Sequence, residues 1–334
     1  MRIFFLSYVI TAVALVGAYA WAGIDGLLIA GLLMIMEISL SFDNAVVNAT
    51  VLKTMSEKWQ QRFLTWGILI AVFGMRLIFP VVIVAFATGL SMWDVSQMAL
   101  NNPDEYSRNV LASHVQIAAF GGMFLLMVFL KFVLDETKEL HWIGWIEEKL
   151  ARLGKLESVE IILAMSLLLV AQSFLPEAER LGALVSGSIG VVLYVATNSL
   201  TALFATPEAG HAAGKTVAYS GFMGFMYLQF LDASFSLDGV IGAFAMSKDV
   251  VIIMLGLGAG AMFVRSLTIY LVRKGTLDEF VYLEHGAHWG IGALAVIMLV
   301  SMVAHVSEFI TGLIGVGFIL LSLWSSIKHR RAQA

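Results

Sequence analysis

The stretch MEISLSFDNAVVNA, Met36–Ala49, sets two carboxylates, Glu37 and Asp43, six residues apart inside a run otherwise apolar enough to cross a bilayer. A charge at the bilayer centre costs about 3 kcal/mol or more, so an acid there marks an ion path, a proton relay or a counter-ion by default. The composition says that such a run is a span. Of 334 residues 60% are hydrophobic and 13% charged, with a mean hydropathy of +0.89. Soluble domains carry about 25% charged residues. The chain therefore reads as an all-α, polytopic membrane protein. It has no cysteine, which excludes disulfides, thiolate metal sites and cysteine nucleophiles. Any metal must be held by oxygen or imidazole.

Outward from the motif, ten apolar runs approach the roughly 20 residues that span hydrocarbon. They cover 3–22, 24–52, 63–90, 110–134, 159–175, 181–205, 217–246, 249–272, 287–306 and 308–327. The first, with Arg2 and the AYA of Ala18–Ala20, also fits a cleaved signal peptide; a retained helix is the expectation. Assigning lysines and arginines to alternate sides puts fifteen on one side and three, Arg108, Arg180 and Lys248, on the other. The positive-inside rule then places both termini in the cytoplasm. Arg76 and Arg265 lie within spans. The connection from Asp135 to Ser158 contains KELHWIGWIEEKLARL, with Ile143, Ile146, Leu150 and Leu153 at helical spacing. It reads either as an interfacial helix on anionic lipid or as a solvated connecting helix.

The motif recurs. EISLSFDNAVVNA, from Glu37, overlays DASFSLDGVIGAF, from Asp232, without a gap: Glu37 on Asp232, Ser39 on Ser234, Ser41 on Ser236, Asp43 on Asp238. GILIAVFGMR, Gly67–Arg76, overlays GLGAGAMFVR, Gly256–Arg265, and HVQIAAF from His114 overlays HWGIGAL from His288. Spans two to four thus correspond to spans seven to nine. An offset of five reverses orientation, so the chain reads as an inverted 5+5 repeat in one transmembrane domain over 1–334, with halves near 1–175 and 181–327. Such folds place substrate near the midplane, where broken helices expose carbonyls and helix ends. On an ideal helix the two acids of a copy stand about 120° apart; breaks are expected in both motif helices, where Asn44 and Gly239 follow the second acid, with a wide helical face as the alternative way to bring the acids together.

Glu37, Asp43, Asp232 and Asp238 are accordingly read as an ion site, with Asn44 and the motif serines able to add neutral oxygens. Four acids and two arginines sum to −2, which one divalent cation neutralises. Arg76 and Arg265 either compensate charge permanently or swing onto the acids when the cation leaves. His114 and His288 open corresponding spans and are read as interfacial residues or as ligand or proton-handling groups. Carboxylate, amide and carbonyl oxygens suit Mg²⁺, Ca²⁺ or Mn²⁺. No zinc-protease, P-loop or nucleophile-elbow pattern occurs, so an enzyme is not expected.

The segments EISLSFDNAVV and LDASFSLDGVIGAFA, each followed by an arginine in the next span, resemble the TerC family of bacterial membrane proteins. The resemblance spans roughly Gly26–Ile327. It implies a bacterial inner-membrane exporter of a divalent cation, Mn²⁺ first, with Glu37, Asp43, Asn44, Asp232 and Asp238 at the family's acidic positions. Gly239 stands where a second asparagine would complete the symmetry. The expected partners are the cation and the lipid bilayer, with no nucleic acid and no cofactor beyond the transported ion. A membrane scaffold or metal-stress complex component is the alternative.

Overall fold

The structure is a computed structural model that describes residues 3–70, 74, 76, 78–203, 221–304 and 306–333. Among these, all regular structure is helical: α1 (Phe5–Leu40), α2 (Phe42–Lys53), α3 (Glu57–Leu69), α4 (Phe79–Thr88), α5 (Met92–Asn101), α6 (Pro103–Ala112), α7 (His114–Val133), α8 (Gly144–Leu153), α9 (Val159–Ser173), α10 (Glu177–Leu203), α11 (Gly221–Met246), α12 (Val250–Lys274), α13 (Thr276–Glu279), α14 (Leu283–Ser301) and α15 (Glu308–Gln333). Six are long and apolar enough to cross a membrane: α1, α7, α12, α14, Glu177–Leu200 of α10 and Ile310–Ala332 of α15. Lys215, His305 and the side chains of Asp238 and Glu308 lie outside the described residues.

The long first helix is a hairpin. Ala22 (φ −134°, ψ 21°) and Gly23 (φ 65°, ψ −150°) leave helical geometry, and glycine supplies the positive φ that the reversal needs. Before the bend, Ser7 Oγ donates to the Met262 carbonyl of α12 at 2.8 Å, and Trp21 Nε1 donates to Asp249 at 2.9 Å. After it the order reverses, with Gly26 against Ile252, Ala30 and Leu33 against Gly256, and Glu37 against Gly260. The chain thus runs one way along α12 and returns, in two limbs of roughly 25 Å. The reversal falls at the boundary between the first two sequence-derived spans.

Of the two motif helices, one breaks. At Ser41 (φ −107°, ψ 16°) α1 ends, and α2 starts at Phe42. Ser41 Oγ donates back to Glu37 at 3.1 Å, while the Asp43 carboxylate accepts the Asn44 N–H at 2.9 Å in the first turn of α2. Such local side-chain bonds compete with the helical ladder. The break expected in the second copy is absent: α11 runs unbroken from Gly221 to Met246. There Ser234 bonds the Phe230 carbonyl four residues back at 3.0 Å, an arrangement the helix tolerates.

Ion pairs mark two ends. At one, Lys53 meets Asp278, Arg330 meets Glu279 at 2.6 Å, and Lys138 meets Glu147 at 3.3 Å. At the other, Lys248 meets Asp104 at 2.7 Å. The α1 return limb and α2 run from the Asp249 end to Lys53. In contrast α11 starts beside Trp59 and finishes in the apolar cluster of Val250 and Ile252. Likewise α7 begins beside Ser301, the last residue of α14, and reaches His285 and His288, near the first, with Phe132. In α7, Met123 to Val128 are buried without interruption, as befits a helix enclosed on all sides. Val13, Trp21, Leu28, Leu181 and Leu320 on outer helices are exposed and give a lipid-facing surface.

Candidate functional site

The first acid of each motif copy is paired with the arginine of its own copy. Arg76 Nη2 donates to Glu37 Oε1, and Arg265 Nη2 donates to Asp232 Oδ2 at 3.1 Å. Because Glu37 aligns with Asp232 and Arg76 with Arg265, the same contact is made twice. All four side chains are buried. Close approach depends on glycine: a Cβ on Gly260 would stand 2.6 Å from that of Glu37, and one on Gly67 would stand 2.8 Å from Arg265 Nη1. Arg265 also donates to the carbonyls of Phe63 and Gly67, both at 2.6 Å, and lies 4.2 Å over the Phe63 ring.

The copies also cross. Asn44 Nδ2 of the first donates to Asp232 Oδ1 of the second at 3.1 Å, and Asn48 Nδ2 joins it at 2.5 Å. At the mirrored position Gly239 faces the other acid, where a Cβ would lie 3.1 Å from Glu37 Oε2. The two halves of the site are therefore unequal, with two amides on Asp232 and the Ser41 hydroxyl on Glu37. Asn48, absent from the sequence-derived set, was legible as Asn44 plus one turn, the spacing that puts two side chains on one helix face.

Both acids and both arginines border one cavity of about 20 Å³, together with Ser41, Asn44, Asn48 and Ser236. A carboxylate only accepts, so each asparagine turns its NH₂ to Asp232 and its oxygen away. Asn44 Oδ1, Asn48 Oδ1 and Ser236 Oγ are buried with no hydrogen-bond partner among the described residues. An unsatisfied buried acceptor costs about 1–3 kcal/mol. Three around one cavity form an oxygen-rich surface suited to a hard cation.

Asp43 does not border this cavity. The break at Ser41 turns it toward α14 and α15, where Cβ atoms on Gly290 and Gly315 would stand 3.2 and 3.5 Å from its Oδ2. The sum of −2 anticipated from four acids thus gives way, among the described residues, to two acids balanced by two arginines at the cavity. His288 is also elsewhere: its Nδ1 meets the Glu284 carbonyl at 2.9 Å and its ring stacks on Phe132 at 3.8 Å. His114 lies 3.4 Å from the Ser301 hydroxyl. Among the described residues no three His, Asp or Glu side chains converge.

A residue unmarked by sequence reasoning is Glu147, fully buried on α8. Trp289 Nε1 donates to it at 2.9 Å, the Trp142 backbone N–H at 3.2 Å, and Lys138 and His285 stand 3.3 and 3.6 Å away. Burial alone would raise its pKa, but the Trp289 N–H, Lys138 and His285 together hold it below the usual carboxylate range. The α8 connection is therefore pinned to α14 by a carboxylate, whereas its apolar spacing had suggested a helix resting on lipid or solvent.

Several long apolar helices around a buried, charge-paired polar centre define a helical multi-pass membrane protein. The chain belongs to the family described as "Protein of unknown function (DUF475)", matched over residues 42–333. No curated protein and no solved structure matches it.

Proposed function

We propose that the protein is a carrier that exports a divalent metal cation, Mn²⁺ foremost, across the bacterial inner membrane by alternating access between two inverted halves. The observation that carries this reading is the cavity. Two carboxylates from corresponding positions and three unpartnered neutral oxygens surround a space of ion size. Oxygen donors of this kind suit Mn²⁺, Ca²⁺ and Mg²⁺. The opposed directions of the α1–α2 segment and α11, and of α7 and α14, support an inverted 5+5 arrangement of ten spans. The motif resemblance to the TerC family points to the same substrate class, and the basic end carrying Lys53 and Lys138 is read as cytoplasmic.

In this reading the arginines are switches. Each holds one acid, so a cation can take Glu37 and Asp232 only as Arg76 and Arg265 give way. Arg265 keeps the Phe63 and Gly67 carbonyls as alternative partners. Competition of this kind couples occupancy to conformation, since a ligand shifts an equilibrium only by its differential affinity for the two states.

Reconstitution in liposomes with an entrapped Mn²⁺-sensitive dye tests the proposal. Wild type should pass Mn²⁺, and Glu37→Gln and Asp232→Asn should lose the flux. Flux by neither wild type nor variants, with both acids still needed for recovery of a protein complex, would favour the scaffold reading.

A further inference from the structure

A second cavity, of about 330 Å³, lies at the Lys53 end and is lined by Leu52, Glu57, Gln60, Gln61, Val272 and Arg273, with Ile269. It follows the same groove as the inner one. On α2, Asn48 borders the inner cavity and Leu52, one turn on, the outer. On α12, Thr268 borders the inner and Val272, again one turn on, the outer. Residues four apart stand above one another on a helix, and α2 packs directly on α12. The two cavities are therefore stacked along one interface, with the buried Leu52 side chain at the step between them. Gln60 fixes the outer wall, its Nε2 donating to the Leu52 and Met55 carbonyls at 3.1 and 2.9 Å. Toward the opposite end the inner site is overlain by apolar packing of Val240, Ala243, Phe244 and Leu257, closed by Tyr106, which meets Phe244 edge-on at 5.6 Å.

We propose that the larger cavity is the entry vestibule for a hydrated divalent cation and that Leu52 is the barrier at which the cation sheds water before reaching Glu37 and Asp232; this rests on the carrier reading above. The volumes decide the assignment. Each water needs roughly 10–15 Å³ of cavity space for its centre, so the inner cavity of about 20 Å³ holds about one water, while the vestibule of about 330 Å³ holds a full hydration shell. Entry past Leu52 therefore demands dehydration, with the two carboxylates and the Asn44, Asn48 and Ser236 oxygens replacing lost waters. Mg²⁺ gives up water reluctantly and keeps several when protein-bound. The step thus disfavours Mg²⁺ against Mn²⁺ or Ca²⁺ without any ligand that distinguishes them.

The chain has no cysteine, so single cysteines can be placed without background. Gln61→Cys, Val272→Cys and Thr268→Cys are made in the full chain and exposed to a membrane-impermeant thiol reagent in vesicles of each orientation. Gln61→Cys and Val272→Cys should label rapidly from the Lys53 side alone. Thr268→Cys should label slowly, several-fold faster when combined with Leu52→Ala and slower with Leu52→Phe. Labelling of Val272→Cys only from the other side, or a Thr268→Cys rate unmoved by both Leu52 changes, would overturn the proposal. Rates are read without transport, so a wild type that passes no Mn²⁺ sinks the carrier reading, whereas a wrong labelling pattern with intact flux sinks only the vestibule.

Discussion

Arg265 is held by its acid, by two backbone carbonyls and by the ring of Phe63, and it fits only because residue 67 has no side chain. Gly67→Ala should therefore cost about 1–3 kcal/mol through forced displacement of a packed group. Gly31→Ala, where nothing lies within 4 Å of the added carbon, should be close to neutral. Thermal unfolding of the two variants in one detergent checks the contrast. Asp232→Asn removes the charge that Arg265 faces and should cost about 3–5 kcal/mol, the penalty of an uncompensated buried charge; the double change Asp232→Asn, Arg265→Met should recover part of it. At this level the sequence singled out Glu37, Arg76, Asp232 and Arg265, which the structure brings to one cavity, because a duplicated charge inside an apolar run has few bland explanations. It could not say that each arginine sits on the acid of its own copy. Which acid an arginine meets is set by helix packing, as where α12 carries Arg265 against Asp232 of α11.

The pair α1 and α2 and the connection α8 show where periodicity stops being a guide. The reversal at Gly23 and the interruption near the first motif were both legible, one from a boundary between apolar runs and one from polar residues that compete with the helical ladder. The continuity of α11 was not, since nearly the same residue types occur there. In α8, a spacing of apolar residues concealed that Glu147 faces inward. With its folded pKa below the usual value of 4.5, Glu147 contributes its full share to docking above pH 4.5. That share is lost as pH falls through the lower folded value. Hydrogen exchange over residues 144–153 should rise steeply below pH 4.5 in wild type. In Glu147→Gln it should be raised already at pH 7 and show no such step.

Across the molecule, the proposed arrangement of ten spans with both termini on the basic side predicts which loops face which compartment. Single cysteines at Asn102 and Lys248 should react from one side only and those at Gly275 and Lys155 only from the other; reaction of Asn102→Cys and Gly275→Cys from the same side would break the topology. Among the described residues, Lys53 pairs with Asp278 and Arg330 with Glu279 at one end, and Lys248 with Asp104 at the other. That Asp43 stands away from the cavity lay beyond the sequence, because it follows from the turn at Ser41. Everything functional rests on Glu37 and Asp232 sharing one metal ion, and the most direct measurement is electron paramagnetic resonance of Mn²⁺ titrated into the purified protein. Wild type should remove the free aqueous Mn²⁺ signal up to one ion per chain, with Glu37→Gln and Asp232→Asn each weakening binding sharply. Equal signal loss in all three proteins, or none in wild type, would contradict the account.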